Sequence, residues 1–136
     1  MISFLLSVRT SFRFALLILY VGCIMLLSLL PPQDFPKVRL FENADKVVHF
    51  LMYFGFSILS SWALKVEFKR SWVWLIIPAT VGWGILMEIC QLEMHIGRSY
   101  DLSDILANTT GVAVGILFYL LVTRGTFKKL LRETNF

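Results

Sequence analysis

The chain contains four runs of apolar residues that are each long enough to cross a lipid bilayer. The runs are Phe14–Leu30, Val47–Leu64, Ser71–Leu92 and Ile105–Thr123. A helix rises about 1.5 Å per residue, so roughly 17–25 apolar residues cover the hydrocarbon core. His49 and Glu88 are the only charged or imidazole side chains within these runs. A soluble core of this size could not absorb such runs, so the sequence indicates a membrane protein.

The fold class follows from the lipid that must surround such apolar runs. In lipid a backbone must satisfy its own hydrogen bonds, so each run must form a helix and not an open strand. The composition agrees, since 57% of the residues are hydrophobic and 16% are charged, whereas soluble domains are about 45–50% apolar and about 25% charged. We therefore predict an all-α polytopic membrane protein. Residues 1–136 should form a single domain, a bundle of four transmembrane helices.

The positive charges predict how the chain is oriented in the membrane. Nine of the 13 Lys and Arg residues fall in the N-terminal tail, the second connection and the C-terminal tail. Short cytoplasmic segments carry the excess of Lys and Arg. We therefore expect a multi-pass protein of the cell inner (cytoplasmic) membrane with both termini cytoplasmic. The basic C-terminal tail suits anionic lipid at the inner leaflet, so it gives no reason to expect nucleic-acid binding.

Polar residues concentrate at the ends of the runs that this orientation places outside. They are Asp45, Lys46, His49, Glu88, Gln91, Arg98, Asp101, Asp104 and Asn108. Ionisable side chains within a membrane span are costly to bury and usually face a partner or a wet cavity. We therefore predict a polar pocket that opens toward the outer leaflet, where lipid headgroups and lipid-linked wall precursors lie.

The fourth run and the residues before it carry a stripe of polar and small residues. At 100° per residue, the stripe occupies an arc of about 80° and consists of Asp101, Asp104, Asn108, Gly111 and Gly115. The glycines of GVAVG form a small-xxx-small pattern, which lets a neighbouring helix approach closely. The stripe therefore places carboxylates and an amide above a predicted packing groove.

Three classes of function are compatible with the predicted pocket. A binding or modifying protein would use Lys46 and Arg98 to hold an anionic headgroup or pyrophosphate of an envelope molecule. An enzymatic version would use Glu88 and His49 as acid and base. A structural or regulatory protein would use the polar residues as an internal clamp, with Asp101 only capping a helix. A proton-linked transporter is the weakest, because the inner halves of the runs hold no ionisable residue to continue a relay.

A metal site is another interpretation of the same residues. His49, Glu88 and Asp104 could supply ligands, yet they form no H-E-x-x-H motif or comparable ligand pair. The two cysteines, Cys23 and Cys90, lie inside apolar runs and have no metal-binding spacing. The sequence alone therefore predicts neither a metal nor a cofactor.

Three ordered segments carry a resemblance to a known family. DKVVHFLMYF, EICQ and GRSYDLSDILANTTGVAVG together resemble the VanZ-like family of small integral membrane proteins, over about Ser28 to Val122. The resemblance adds Tyr53 to the candidate binding residues and leaves His95 out of them. It implies a role in the cell envelope, since the family is named for an accessory protein of glycopeptide resistance, associated with teicoplanin. Membership does not by itself imply that this chain confers resistance.

Overall fold

The structure, a computed structural model, describes residues 2–30, 43–65, 73–94 and 101–133. Within these ranges the chain forms helices and no strand. The helices are α1 (Ile2–Ser7), α2 (Thr10–Leu29), α3 (Ala44–Ala63), α4 (Val73–Glu93) and α5 (Leu102–Glu133). The all-helical fold class is therefore confirmed for the described part of the chain.

Three segments of the described chain are long and apolar enough to cross a membrane. They are α2, α4 and the part of α5 from Leu102 to Gly125. Helix α3 has the same length as α2. However, it is less apolar, because it carries Asp45, Lys46 and His49 in its first turns and three serines toward its end. The structure thus supports three spans by length and composition, where the sequence predicts four.

The helix bounds differ from the predicted runs at three places. The first run begins at residue 14, but α2 begins at Thr10 and includes Arg13. The fourth run ends at residue 123, but α5 continues through the basic tail to Glu133. Helix α1 has no counterpart among the predicted runs, because its six residues are too few to show a periodic apolar pattern.

Helices α3 and α5 approach each other closely along the predicted packing groove. A β-carbon placed on Gly111 would lie against the carbonyl oxygen of Phe50 and 3.0 Å from the amide nitrogen of Phe54. One placed on Gly115 would lie 2.6 Å from the carbonyl oxygen of Phe54. Backbone atoms cannot rotate out of the way as a flexible side chain can. Glycine therefore lets the two helices pack backbone against backbone.

Helix α2 is tied to α3 by side chains that donate to backbone carbonyls. The Tyr20 hydroxyl donates to the carbonyl oxygen of Met52 over 3.0 Å. Arg13 is only 2% exposed, and its guanidinium donates to the carbonyl oxygen of Trp62 over 2.7 Å. The last carbonyls of a helix have no partner within it, so Arg13 satisfies the C-terminal end of α3. Arg13 lies inside α2, directly before the first predicted run begins at residue 14.

The exterior of the bundle is apolar. Large hydrophobic side chains are exposed along all five helices, among them Ile18 of α2, Leu51 of α3, Leu75 of α4, and Leu117 and Leu121 of α5. Single exposed apolar residues are ordinary on soluble proteins, but an apolar surface of this extent is not. The exterior therefore suits a surrounding of lipid chains.

Alanine substitutions test the close approach of α3 and α5. Gly111→Ala should lower the melting temperature in detergent, because the new methyl group would strike the α3 backbone, and such overpacking costs about 1–3 kcal/mol. Gly125→Ala is the matched control on α5, since a β-carbon there meets nothing within 4 Å. It should stabilise slightly, because alanine favours a helix over glycine by roughly 0.5–1 kcal/mol. Equal melting temperatures for the two variants would contradict the close packing.

Candidate functional site

One end of the bundle gathers the polar residues, and we call it the cluster end. It is formed by the first turns of α3 and α5 and the last turns of α4. Each of these helices contributes two positions four residues apart, which lie one above the other on a helix face. The upper layer consists of His49, Glu88 and Asp104, and the lower layer consists of Tyr53, Gly84 and Asn108.

Lys46 joins α3 to α5 above the upper layer. Its ammonium group donates to Asp104 Oδ1 over 2.5 Å and to Asp101 Oδ2 over 2.6 Å. The same group lies 2.8 Å from Asp45 Oδ2. Lys46 is expected from the sequence to hold an anionic ligand, but its charge is directed here at three carboxylates of the protein itself.

Asp101 makes two kinds of contact at the start of α5. Its Oδ1 accepts hydrogen bonds from the backbone N–H of Ser103 over 2.8 Å and from the Ser103 hydroxyl over 2.6 Å. This is the geometry of an N-cap. Hydrogen bonds from Lys46 and Ser103 hold the pKa of the Asp101 carboxyl well below its usual value. Asp101 is therefore ionised at neutral pH, and it serves as a helix cap as well as an ion-pair partner.

The upper layer brings side chains from three helices together. One nitrogen or oxygen atom from each of His49, Glu88 and Asp104 lies within 4.8 Å of the others. His49 Nδ1 is 3.1 Å from Asn108 Oδ1, and His49 Nε2 is 3.8 Å from Asp104 Oδ2. An amide oxygen only accepts hydrogen bonds, so Nδ1 carries the proton and Nε2 of the neutral ring presents a lone pair. Glu88 is 2% exposed, which places its carboxylate in the bundle interior.

The lower layer contains a buried tyrosine. Tyr53 is 1% exposed, and its hydroxyl has no hydrogen-bond partner among the described residues. A β-carbon at Gly84 would lie 3.2 Å from Tyr53 Cε1 and 3.3 Å from Asn108 Nδ2, so three helices meet at this glycine. Long helical side chains point toward the N-terminal end of their own helix, which for α3 is the cluster end. This tendency would direct Tyr53 toward the upper layer.

The remaining predicted site residues fall elsewhere. Gln91 is buried, and its amide donates to the carbonyl oxygen of Ser28 over 2.8 Å, which ties α4 to α2. Arg98 and His95 lie outside the described residues. Gln91 is therefore joined to the protein itself, and Arg98 stays a sequence-based prediction.

Two contributions to the site leave little signal in the sequence. Gly84 shares a helix face with Glu88, so periodicity places it near the cluster, but only packing reveals that Tyr53 and Asn108 fill the space above it. Ser28 contributes a backbone carbonyl to Gln91, and every residue has one. Such contributions depend on which helices become neighbours, and no local pattern predicts that.

The cluster end carries an excess of negative charge. Among the described residues it contains five carboxylates and one ammonium group, those of Asp45, Glu88, Glu93, Asp101, Asp104 and Lys46. A surface lined by one sign of charge attracts ligands of the opposite sign. The described part of the site therefore favours a cation, or a ligand that presents one.

Two cavities lined by described residues lie away from this cluster. One of about 350 Å³ lies between α1, α3 and α5. Another of about 450 Å³ lies between α2, α3 and α4. Both are lined mainly by apolar side chains, and neither contains a residue of the upper or lower layer. The cluster, rather than either cavity, therefore holds the groups capable of acid–base or metal chemistry.

Fold and cluster together define a helical membrane protein with a polar site at one end of the bundle. Residues 7–123 match the family model described as VanZ/LLP1, and the chain belongs to this family. The family resemblance of the sequence is thereby confirmed.

A fission-yeast relative shares part of this sequence. The chain is 28% identical over 86 residues to the uncharacterized protein C11E3.10 of Schizosaccharomyces pombe. The aligned stretch covers 63% of this chain and 52% of the yeast protein, so the chain spans about half the length of that relative. No solved structure matches the chain.

A double-mutant cycle tests the link that Lys46 makes between α3 and α5. Lys46→Gln and Asp104→Asn, singly and together, should reveal a coupling free energy of about 1–3 kcal/mol in detergent unfolding, because these side chains are 23% and 15% exposed. The same cycle with Asp45→Asn should yield less than about 1 kcal/mol, since the Asp45 side chain is 62% exposed. Equal coupling in both cycles would mean that the Asp104 pair is no special link between the helices.

Proposed function

We propose that this VanZ/LLP1 protein spans the inner membrane four times and binds or acts on a cell-envelope component at its cluster end. The component would be a lipid headgroup, a lipid-linked wall precursor or a glycopeptide-type compound. The observation that carries the proposal is the convergence of His49, Glu88 and Asp104 from three helices. Ionisable side chains at membrane depth are costly and mark substrate or ion sites by default. The ligand would reach the site from the outer leaflet.

In this proposal α3 is the fourth span, in spite of its polar residues. Its 20 residues can cross the hydrocarbon core at about 1.5 Å per residue. Its polar side chains are turned inward, since Tyr53, Ser57 and Ser61 are each at most 1% exposed. A helix surrounded by other helices does not have to be apolar on every face, because its polar groups do not meet lipid. With α3 counted, both termini lie on the same side, as the positive charges predict.

Glu88 and His49 are the candidate acid and base. The His49 ring is held by Asn108, which leaves Nε2 able to accept a proton. The buried Glu88 carboxylate lies within 4.8 Å of the layer's other donor atoms, and a ligand atom between them would be in reach of both groups. Because Lys46 is engaged by carboxylates, Arg98 is the remaining candidate for holding an anionic group.

A structural clamp is the second candidate function, and the contacts of Lys46 favour it. The ammonium group bonds to Asp101 and Asp104 of α5 from its place on α3. A clamp of this kind would fix the helices and have no ligand. It would account for the contacts of Lys46 above the upper layer, and it would use His49 and Glu88 only as internal partners without a ligand.

Cysteine labelling tests the proposed topology. In a chain without Cys23 and Cys90, single cysteines would replace Met94 at the cluster end and Gly125 at the opposite end, both of which are exposed. We expect a membrane-impermeant thiol reagent to label Met94→Cys on intact cells. Gly125→Cys should react only after the membrane is permeabilised. The reverse pattern would place the cluster at the cytoplasmic face and contradict the proposal.

Glu88→Gln separates a functional site from a scaffold. Glutamine keeps the shape and removes the charge, so the variant should remain folded in the membrane. We expect it to reproduce the deletion strain in a mass-spectrometric profile of membrane lipids and lipid-linked wall precursors. Glu93→Gln is the matched control, because it removes an exposed carboxylate from the last turn of α4, at the same end but outside both layers. It should leave the profile unchanged.

The structural clamp leads to a different outcome for the same variant. Breaking a buried pair costs about 3–5 kcal/mol, so the amount of Glu88→Gln protein and its melting temperature would fall together. Arg98→Lys is a companion variant, since lysine keeps the charge but loses the planar fork that grips phosphate. We expect it to behave like the deletion. A wild-type profile from stable Glu88→Gln protein would rule out the upper layer as the active part.

A further inference from the structure

We propose that His49, Glu88 and Asp104 together bind one divalent transition-metal ion of the Zn²⁺ type. An imidazole nitrogen and carboxylate oxygens are the ligands found at zinc sites with three protein ligands and an open position. The three residues lie on three different helices, and one donor atom of each is within 4.8 Å of the others. The inference does not rest on the envelope role, because ion binding is a property of the protein alone.

The orientation of His49 is the first argument for a metal. Its Nδ1–H is directed at Asn108 Oδ1 over 3.1 Å, which leaves the lone pair of Nε2 facing the Asp104 carboxylate. Nε2 and Asp104 Oδ2 are 3.8 Å apart, too far for a hydrogen bond. When the ring is neutral, two electron-rich atoms therefore face each other across a gap. A ligating histidine is held in this manner by a hydrogen bond to its other ring nitrogen.

The spacing fits a small ion. Bonds of roughly 2.0–2.1 Å in a tetrahedron separate neighbouring ligand atoms by about 3.3 Å. The 3.8 Å between His49 Nε2 and Asp104 Oδ2 would need to shorten by about 0.5 Å in that geometry, and separations of up to 4.8 Å in the layer by up to about 1.5 Å. Rotation of the side chains can supply such a change without moving the helix backbones. The rigid α3–α5 contact below would hold the ligands in place.

The charge of the layer also fits a divalent ion. Glu88 is 2% exposed as a residue, and the Asp104 side chain is 15% exposed. Carboxylates whose oxygens lie within 4.8 Å of each other repel, and the repulsion grows where water is excluded. Lys46 lies against Asp104, and a divalent ion bound by both carboxylates would lower the repulsion between them.

The Tyr53 hydroxyl is an independent observation at the same place. It is buried and lacks a hydrogen-bond partner among the described residues, and Tyr53 lies one helical turn below His49 on the same face of α3. A buried hydroxyl without a partner costs free energy comparable to a lost hydrogen bond. A water molecule or a phosphate oxygen at the open coordination position of the ion could accept a hydrogen bond from this hydroxyl. Tyr53 would then be a positioning residue for whatever molecule binds the ion.

The probe is Zn²⁺ added to the full-length protein, which is purified in detergent without a polyhistidine tag and stripped with EDTA. After gel filtration we expect one Zn²⁺ per chain by inductively coupled plasma mass spectrometry. The melting temperature should be higher with Zn²⁺ than with EDTA, because an ion that binds only the folded state stabilises it. Co²⁺ should replace Zn²⁺ and give the visible absorption of a four-coordinate ion.

Matched variants distinguish the three ligands from the acidic surface. Glu88→Gln should lose stoichiometric Zn²⁺, whereas Asp45→Asn should keep one ion per chain. Asn108→Ala should weaken Zn²⁺ binding roughly 10–100-fold, the usual effect of removing a group that orients a ligand. His49→Cys exchanges one ligand for another, so it should retain Co²⁺ and add a near-ultraviolet thiolate-to-metal band.

Three results would overturn the metal site. One is substoichiometric zinc in folded wild-type protein. Another is equal zinc content in Glu88→Gln and the wild type. The third is equal loss in Asp45→Asn and Glu88→Gln, since general attraction to an acidic surface would then explain the binding. No envelope ligand is involved, so these results leave the envelope role untouched, and a negative lipid profile would leave the metal site untouched.

Discussion

The backbone contact between α3 and α5 is the constraint on which the rest of the structure depends. Gly111 and Gly115 bring the two helices together, and this contact fixes their register. In that register Lys46 reaches Asp104 and His49 reaches the amide one turn below. A shift of α5 by one residue would turn its stripe by 100° and carry the carboxylates away from α3. The small residues below the site therefore position the charged residues within it.

Hydrogen bonds from polar side chains help to hold these helices together, whereas apolar contacts do so in soluble proteins. Lipid tails are as apolar as leucine, so helices in a membrane gain little from burying apolar side chains against each other. Here Tyr20, Arg13 and Gln91 connect helices by donating to backbone carbonyls. Hydroxyls such as those of Ser61 and Thr80 donate one turn back within their own helix. These bonds give the buried donors that make them an acceptor, so polar side chains can lie inside the bundle.

Sequence reasoning succeeds here where composition and periodicity decide the structure. The apolar runs locate α2 and α4 to within four residues at each end, and the α5 stripe correctly pairs its glycines with a neighbouring helix. It fails where distant segments meet. Arg13 looks like a flanking charge until the end of α3 comes within its reach, and the partner of Gln91 is a carbonyl on another helix. The contact between His49 and Asp104 likewise depends on how α3 and α5 are aligned in the bundle.

A comparison of the two ends of the bundle separates contacts that only join helices from groups that such contacts do not need. At one end Arg13 donates to the carbonyl oxygen of Trp62 near the end of α3, and this bond ties α2 to α3. At the cluster end Lys46 and Asp101 would suffice to join α3 to α5, and Asp101 also caps α5. Asp104 strengthens that tie, but it also lies in one layer with His49 of α3 and the buried Glu88 of α4. A tie between α3 and α5 needs no carboxylate from α4 at this place. Among the described residues, the meeting of three ionisable side chains from three helices therefore argues for a site rather than a clamp.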